Sequence, residues 1–313
     1  MYNILFLGGA GFIGSNLIKR CVKDQNFRIF LLERSDANIE RLECYRNKIQ
    51  IIKDSISDFN NIKGIMDKYD INIVAHLVST LIPASTYDDF KVEFENVIFP
   101  TSEIMKLCSE RNIKFVYFSS GGTIYGNSLS GDSFKETDIP TPISYYGLSK
   151  QIIENNILFE HRRGNLRYLI LRPSNPFGKG QALNGKQGLI AVCIGKILAG
   201  EAIEIWGDGS SIRDYIYIDD LSDAFYKLII SDVENEIINI GSGFGYTIND
   251  IIDRLKNVSE KPLYIKHLTK RSIDVNSMVL NIEKLNSIIS VRHTHLEEGI
   301  KIFFDYAKTQ INM

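Results

Sequence analysis

The chain is short of the features that mark several broad classes of protein. Its charges nearly cancel, 36 basic residues against 38 acidic in 313, so it lacks the excess of one sign that draws a protein to a phosphate backbone or an anionic membrane surface. Nucleic acid is not an expected partner. No apolar run approaches the roughly 18 uninterrupted residues that a membrane-crossing helix requires, and the first one is broken by glycines with no basic stretch before it. A cytoplasmic protein with no membrane partner is the expectation. Cysteine is scarce too: Cys21, Cys44, Cys108 and Cys193 show no CxxC spacing, and they read as small buried hydrophobes of a reducing compartment. Internal repeats and low-complexity tracts are absent.

What is there is a rhythm. Up to about residue 175, β-branched runs at 4–7, 28–33, 49–53, 73–76, 115–119 and 168–172 alternate with amphipathic stretches at 14–23, 62–69, 96–111 and 146–163. Strand and helix in repetition predict an α/β fold, a Rossmann-type doubly wound parallel sheet. From residue 176 a Gly, Pro and Asn-rich segment leads into mixed elements, with strands expected at 202–205, 237–240 and 262–265 and helices at 189–199, 219–230, 248–256 and 296–307. The expected organisation is a dinucleotide-binding domain over 1–175 and a smaller mixed α/β substrate-binding lobe over 176–313.

The stretch LGGAGFIGSNL, residues 7–17, spaces Gly8, Gly11 and Gly14 as GxxGxxG between the first strand and the first helix. Glycines there permit a tight turn, let backbone approach a pyrophosphate and pack helix on strand, while the helix N-terminus at Phe12 and Ile13 offers unpaired N–H groups. Glu33 lies about 20 residues further on, at the end of the next strand, where a carboxylate would bond ribose hydroxyls and repel a 2′-phosphate. Arg34 pulls the other way, toward a phosphorylated ribose; the balance favours NAD. Asp54, with Ser55 beside it, ends the third strand and is placed either to contact adenine or to cap the strand end.

In SYYGLSK, residues 144–150, Tyr146 and Lys150 stand four apart at the start of a helix and therefore on one face. A phenol titrating near 10 is a poor base at neutral pH. An ammonium about 4 Å away contributes on the order of 4 kcal/mol at an effective dielectric of about 20, roughly a thousandfold in ionisation, before desolvation subtracts from it. A lowered Tyr146 is expected on that ground. His293 and His295 alternate along the chain, but no third ligand is near them in sequence, and a solvated pair is the preferred reading over a metal site.

GxxGxxG, SSGGTIYG at 119–126, Tyr146-x-x-x-Lys150, LRPSNPFGKGQ at 171–181 and WGDGSSIRDYIYIDDL at 206–221 together resemble the extended short-chain dehydrogenase/reductase family, in particular its nucleotide-sugar 4-epimerases of the UDP-glucose 4-epimerase type. The resemblance runs from residue 1 to about 305. It implies bound NAD, a nucleotide-diphosphate sugar as substrate, and a 4-keto intermediate formed when Tyr146, beside Lys150, takes the sugar's 4-hydroxyl proton. It also implies that Asn175, Arg213 and Arg271 hold the diphosphate side, that Asp274 contacts the ribose, and that a homodimer forms through the helices at 96–111 and 146–163. Gly121 departs from the family pattern, standing where a hydroxyl residue usually relays the proton; Thr123 is the first substitute and Ser120 the second. The stretch also lacks the Asp-Glu pair that the family's 4,6-dehydratases use. A second departure is HLVS at 76–79, where Val78 replaces a small residue near the cofactor. Dehydratase, decarboxylase and 4-keto reductase readings stay open, as does a non-catalytic dinucleotide-sensing protein.

Overall fold

Runs such as residues 4–7, apolar at every position, cannot serve a sheet with one wet face. The strands they form are covered on both sides: Ile4, Leu5, Phe6 and Leu7 are all buried. The computed structural model describes residues 1–128, 131–185, 187–259, 261–269 and 276–311. In chain order it begins β1 (Tyr2–Leu7), α1 (Phe12–Cys21), β2 (Phe27–Glu33), β3 (Ile49–Lys53), α2 (Phe59–Lys68), β4 (Ile73–His76), α3 (Tyr87–Glu93), α4 (Phe99–Glu110), β5 (Lys114–Phe118), the single turn α5 (Gly121–Ile124), α6 (Tyr145–Gly164) and β6 (Tyr168–Pro173). It continues β7 (Asn175–Phe177), α7 (Leu189–Ala199), β8 (Ile203–Trp206), β9 (Ile212–Tyr217), α8 (Ile218–Ile230), β10 (Glu236–Ile240), β11 (Gly245–Thr247), α9 (Ile248–Val258), β12 (Ile265–Leu268), β13 (Ser277–Met278), α10 (Glu283–Ile288) and α11 (Leu296–Ile311).

The chain divides into two units that exchange segments. The first comprises residues 1–124, 142–172 and 222–238; the second comprises 125–141, 173–221 and 239–313. The first is built on a seven-stranded sheet of order β10-β6-β5-β4-β1-β2-β3, in which β3, β2, β1, β4, β5 and β6 run parallel. This is a Rossmann-type doubly wound sheet, with its reversal of strand order between β1 and β4, the place where such sheets bind ligands beyond the carboxyl ends of the strands. Leu5 and Leu7 point into one apolar layer with Val74, Phe115, Ile104 and Ile153. On the other face Phe6 and Phe118 pack on Phe225 of α8, ring centroids 6.0 and 5.5 Å apart. Alternate side chains of one strand thus feed two cores.

The second unit carries a small mixed sheet. β9 pairs antiparallel with β11 and parallel with β13 and β7, and β12 pairs parallel with β8. The helix expected at 189–199 is α7 to the residue, whereas the strand expected at 262–265 is displaced to β12, Ile265–Leu268. Pro262 explains the shift, since it has no N–H to give a ladder. The strand at 237–240, expected in the second lobe, belongs instead to the seven-stranded sheet as β10.

Candidate active site

Between β1 and α1 the glycines divide their labour. Gly8 takes φ +75°, and a Cβ there would stand 2.8 Å from Val78 Cγ2, so Val78 does close against the turn. Gly14 packs the helix onto the turn, where a Cβ would meet the Gly9 Cα at 2.5 Å. Gly11 differs: a Cβ would meet none of the described residues within 4 Å, and its extended backbone, φ −67° and ψ −178°, suits any residue. The fold itself makes no demand for glycine at this position. Gly11 is the N-cap of α1 and no side chain caps it, so the first N–H groups of the helix, at Phe12 and Ile13, stand where an anion would find them.

Glu33, at the end of β2, accepts the Ala10 N–H at 2.6 Å, which ties the strand end to the glycine turn. Burial pushes its carboxyl up, and the Ala10 bond acts against that. Arg34 points into solvent and pairs with Asp36 at 3.4 Å. Asp54 is engaged by its own loop, accepting the Ser55 N–H at 2.7 Å and the Asn61 side-chain amide.

Ser144 caps α6, its hydroxyl accepting the Gly147 N–H at 3.1 Å. Gly147 lets that first turn press on α5, since a Cβ there would come 2.7 Å from the Thr123 carbonyl oxygen. This close approach brings Tyr146 to the hydroxyls beyond β5. The Ser120 hydroxyl acts on the Tyr146 phenol, and Thr123 Oγ1 donates to Ser120 Oγ at 2.9 Å. Lys150, 3 % exposed, donates from Nζ to the Phe118 carbonyl at 2.9 Å and stands 5.5 Å from the centre of the Tyr146 ring.

The electrostatics correct one expectation. Burial is the largest influence on Tyr146 and holds the phenol above its usual value, with the Ser120 hydroxyl pulling it back. Pairwise attraction to an ammonium predicted a net lowering; the packing that brings Lys150 close also strips water from the phenolate. Lys150 itself is pushed down to about 8 by burial, while Glu93 and Glu154 hold it up. His76, unassigned in the sequence reading, closes β4 in the same layer. Thr101 spends its hydroxyl proton on the Val97 carbonyl at 2.6 Å, so it accepts from His76 Nε2 at 2.9 Å. Burial, then the Lys150 charge, pushes His76 down to about 3, and it is neutral at physiological pH.

In the second unit, Asn175 and Arg213 line one pocket of about 200 Å³ together with Ser211 and Tyr215. Asn175 Nδ2 donates to the Asp214 carbonyl at 2.8 Å. Arg213 and Tyr215 of β9, with Ser211 just before it, alternate toward the pocket, a period-two signal the sequence reading passed over. Asp214, on the opposite face and wholly buried, gathers the Ser242 N–H and hydroxyl and the Gly243 and Leu280 N–H groups at 2.8–3.3 Å. Arg271 and Asp274 lie outside the described residues.

Comparison with known proteins gives this geometry its context. The sequence pattern of the NAD dependent epimerase/dehydratase family matches residues 4–241. The chain belongs to that family. Among curated relatives, a dTDP-4-dehydro-6-deoxyglucose reductase of Escherichia coli is 32 % identical over 95 % of this chain and 95 % of its own. A putative UDP-glucose 4-epimerase of Methanocaldococcus jannaschii is 30 % identical over 97 % and 98 %. The crystal structure of UDP-glucose 4-epimerase from Thermotoga maritima with UDP-glucose superposes with TM-score 0.90 at 30 % identity, covering 99 % of both chains. The epimerase/dehydratase family depends on NAD, and the residues present fit it. Gly11 is a glycine that the protein's own packing does not require, beside an uncapped helix N-terminus and a carboxylate at the end of β2. Relatives within the family include epimerases, dehydratases and reductases, so the reaction must be argued from the site.

Proposed function

We propose that this family member is a nucleotide-sugar 4-epimerase acting on a UDP-hexose or a UDP-N-acetylhexosamine, converting gluco and galacto forms through a 4-keto sugar. The observation that carries the reading is the Ser120, Thr123, Tyr146 and Lys150 cluster, a phenol flanked by an ammonium and a two-hydroxyl chain. NAD, when bound, supplies the acceptor for the C4 hydride and gives it back. Tyr146 takes the proton of the 4-hydroxyl and returns it, and Ser120 with Thr123 relays it, in place of the hydroxyl that Gly121 lacks. Lys150 stabilises the phenolate. Gly8, Gly11, Phe12, Ile13, Gly14, Glu33 and Asp54 hold the cofactor, and Asn175, Arg213 and Arg271 the diphosphate, for which forked guanidinium donors are suited. A carboxylate pair for elimination is missing from 119–126, which speaks against a dehydratase.

One observation favours a second reading. The relative at 32 % identity is a reductase of a dTDP-linked 4-keto sugar. Proton NMR in heavy water with UDP-glucose and, separately, UDP-N-acetylglucosamine decides. A C4 epimer without ring deuterium supports the epimerase. Consumption of NADH with a dTDP-4-keto-6-deoxy sugar, and no epimer from either UDP-sugar, supports the reductase. We further propose a homodimer through α4 and α6, whose surfaces leave Phe99 and Phe159 63 % and 50 % exposed; light scattering at the mass of one chain would refute it.

A further inference from the structure

Just before the chain passes from α3 into α4 it makes a π-helical turn, Phe94–Ile98, of the kind often found at functional positions. Glu93, the last residue of α3, is 1 % exposed. Its Oε1 accepts the Ser79 hydroxyl at 3.1 Å and the Ser149 hydroxyl at 3.4 Å. Its Oε2 accepts the Thr80 N–H at 2.9 Å and the Thr80 hydroxyl at 2.5 Å. These donors come from two places: the segment after β4, which presses Val78 on the dinucleotide turn, and the residue beside Lys150 on α6.

We propose that Glu93 is a positioning residue for the Tyr146–Lys150 pair, fastening the segment after β4 to the catalytic helix and supplying a buried negative charge toward the Lys150 ammonium. The inference rests on reading that pair as the proton-transfer machinery. A carboxylate taken this far from water is costly unless something offsets it, and every donor bonded to Glu93 is neutral. A glutamine would offer a similar shape and still accept bonds. What glutamine cannot supply is charge, and the nearby group that uses it is Lys150, which burial pushes down while Glu93 and Glu154 hold it up.

The groups facing Lys150 from each packed element leave Glu93 this role. From β5 come the Phe118 carbonyl at 2.9 Å and the Tyr117 ring at 5.0 Å, and from β4 the neutral His76. Its own helix contributes Tyr146 and Glu154, and Glu154 is already committed to Arg172 of β6 at 2.6 Å. Glu93 has no such cationic partner among the described residues. The same charge opposes ionisation of Tyr146, so in the free protein Glu93 favours a charged lysine over a charged phenol.

The test needs no sugar, so it stands apart from the choice between epimerase and reductase. Protein labelled with ¹³C at lysine Cε is titrated by NMR, the Lys150 signal being assigned by its loss in Lys150→Met. The wild-type midpoint is expected near 8. In Glu93→Gln, with circular dichroism unchanged, it should fall by roughly one pH unit or more, while Glu103→Gln, a surface control paired with Lys106, leaves it in place. An unmoved midpoint in Glu93→Gln overturns the proposal. Should that variant fail to fold, Glu93→Asp, which keeps the charge but draws it back by one carbon, is titrated in its place: a lowered Lys150 midpoint is expected, and an unmoved one overturns the proposal equally.

Discussion

Replacing Gly11 and Gly14, one at a time, by alanine separates what the glycine turn does for the fold from what it does for the cofactor. At Gly14 the new methyl would sit 2.5 Å from the Gly9 Cα and 2.7 Å from its carbonyl oxygen. Backbone atoms cannot step aside as a side-chain tip can, so α1 must move off β1. Overpacking of this kind costs about 1–3 kcal/mol, and in a chain of this size each kcal/mol lowers Tm by roughly 1–2 °C. At Gly11 the methyl meets none of the described residues and the backbone is already extended, so stability should hold to within about 0.5 kcal/mol. The methyl would, however, occupy the space through which a pyrophosphate approaches the α1 N-terminus, and NAD affinity should fall tenfold or more, about 1.4 kcal/mol. Scanning calorimetry gives the first quantity, isothermal titration with NAD the second. A Gly11→Ala protein that binds NAD as tightly as wild type would refute the placement of the pyrophosphate at this turn. A Gly14→Ala protein of unchanged Tm would refute the packing account.

Three further outcomes follow from the same geometry. Glu154 and Arg172, both 3 % exposed and 2.6 Å apart, form a buried pair, so Glu154→Gln alone should cost about 3–5 kcal/mol by stranding the guanidinium, whereas Glu154→Leu with Arg172→Met should recover most of it in urea titration. Burial raises the Glu33 carboxyl, so the folded protein holds that proton more tightly than the unfolded chain, and stability falls as pH rises from the unfolded value through the folded one. Glu33→Gln should therefore raise Tm at pH 7 relative to wild type, leave it unchanged below pH 4, and weaken NAD; equal Tm at both pH values would refute this. Tyr146→Phe should reduce turnover of the sugar substrate about 10²–10⁴-fold while NAD binding, measured by titration, stays within about threefold.

Much of the candidate site was legible because its parts are local. The spacing of Gly8, Gly11 and Gly14, and Tyr146 one helical turn from Lys150, depend only on the geometry of a turn and a helix. Neighbours in sequence are neighbours in space there. Glu93 was not legible: its partners Ser79, Thr80 and Ser149 stand 14, 13 and 56 positions away, and nothing in the order of residues says that an acidic side chain among Phe90, Val92 and Phe94 is buried. The interleaving of the two units was hidden for a similar reason, because β10 enters the seven-stranded sheet only through a pairing with β6, distant in sequence.

By itself the sequence determined the parallel sheet, through apolar runs that require cover on both faces, and the dinucleotide turn and the Tyr146–Lys150 spacing, through backbone periodicity. Only the tertiary structure decided the charge states. Attraction between Tyr146 and Lys150 can be written down from a spacing of four, but how far each group is stripped of water, and which carboxylates lie behind it, depends on everything packed around them. Burial then raised Tyr146 against the pull of the Ser120 hydroxyl and brought Lys150 down to about 8, because desolvation sums over every neighbour while a motif names two.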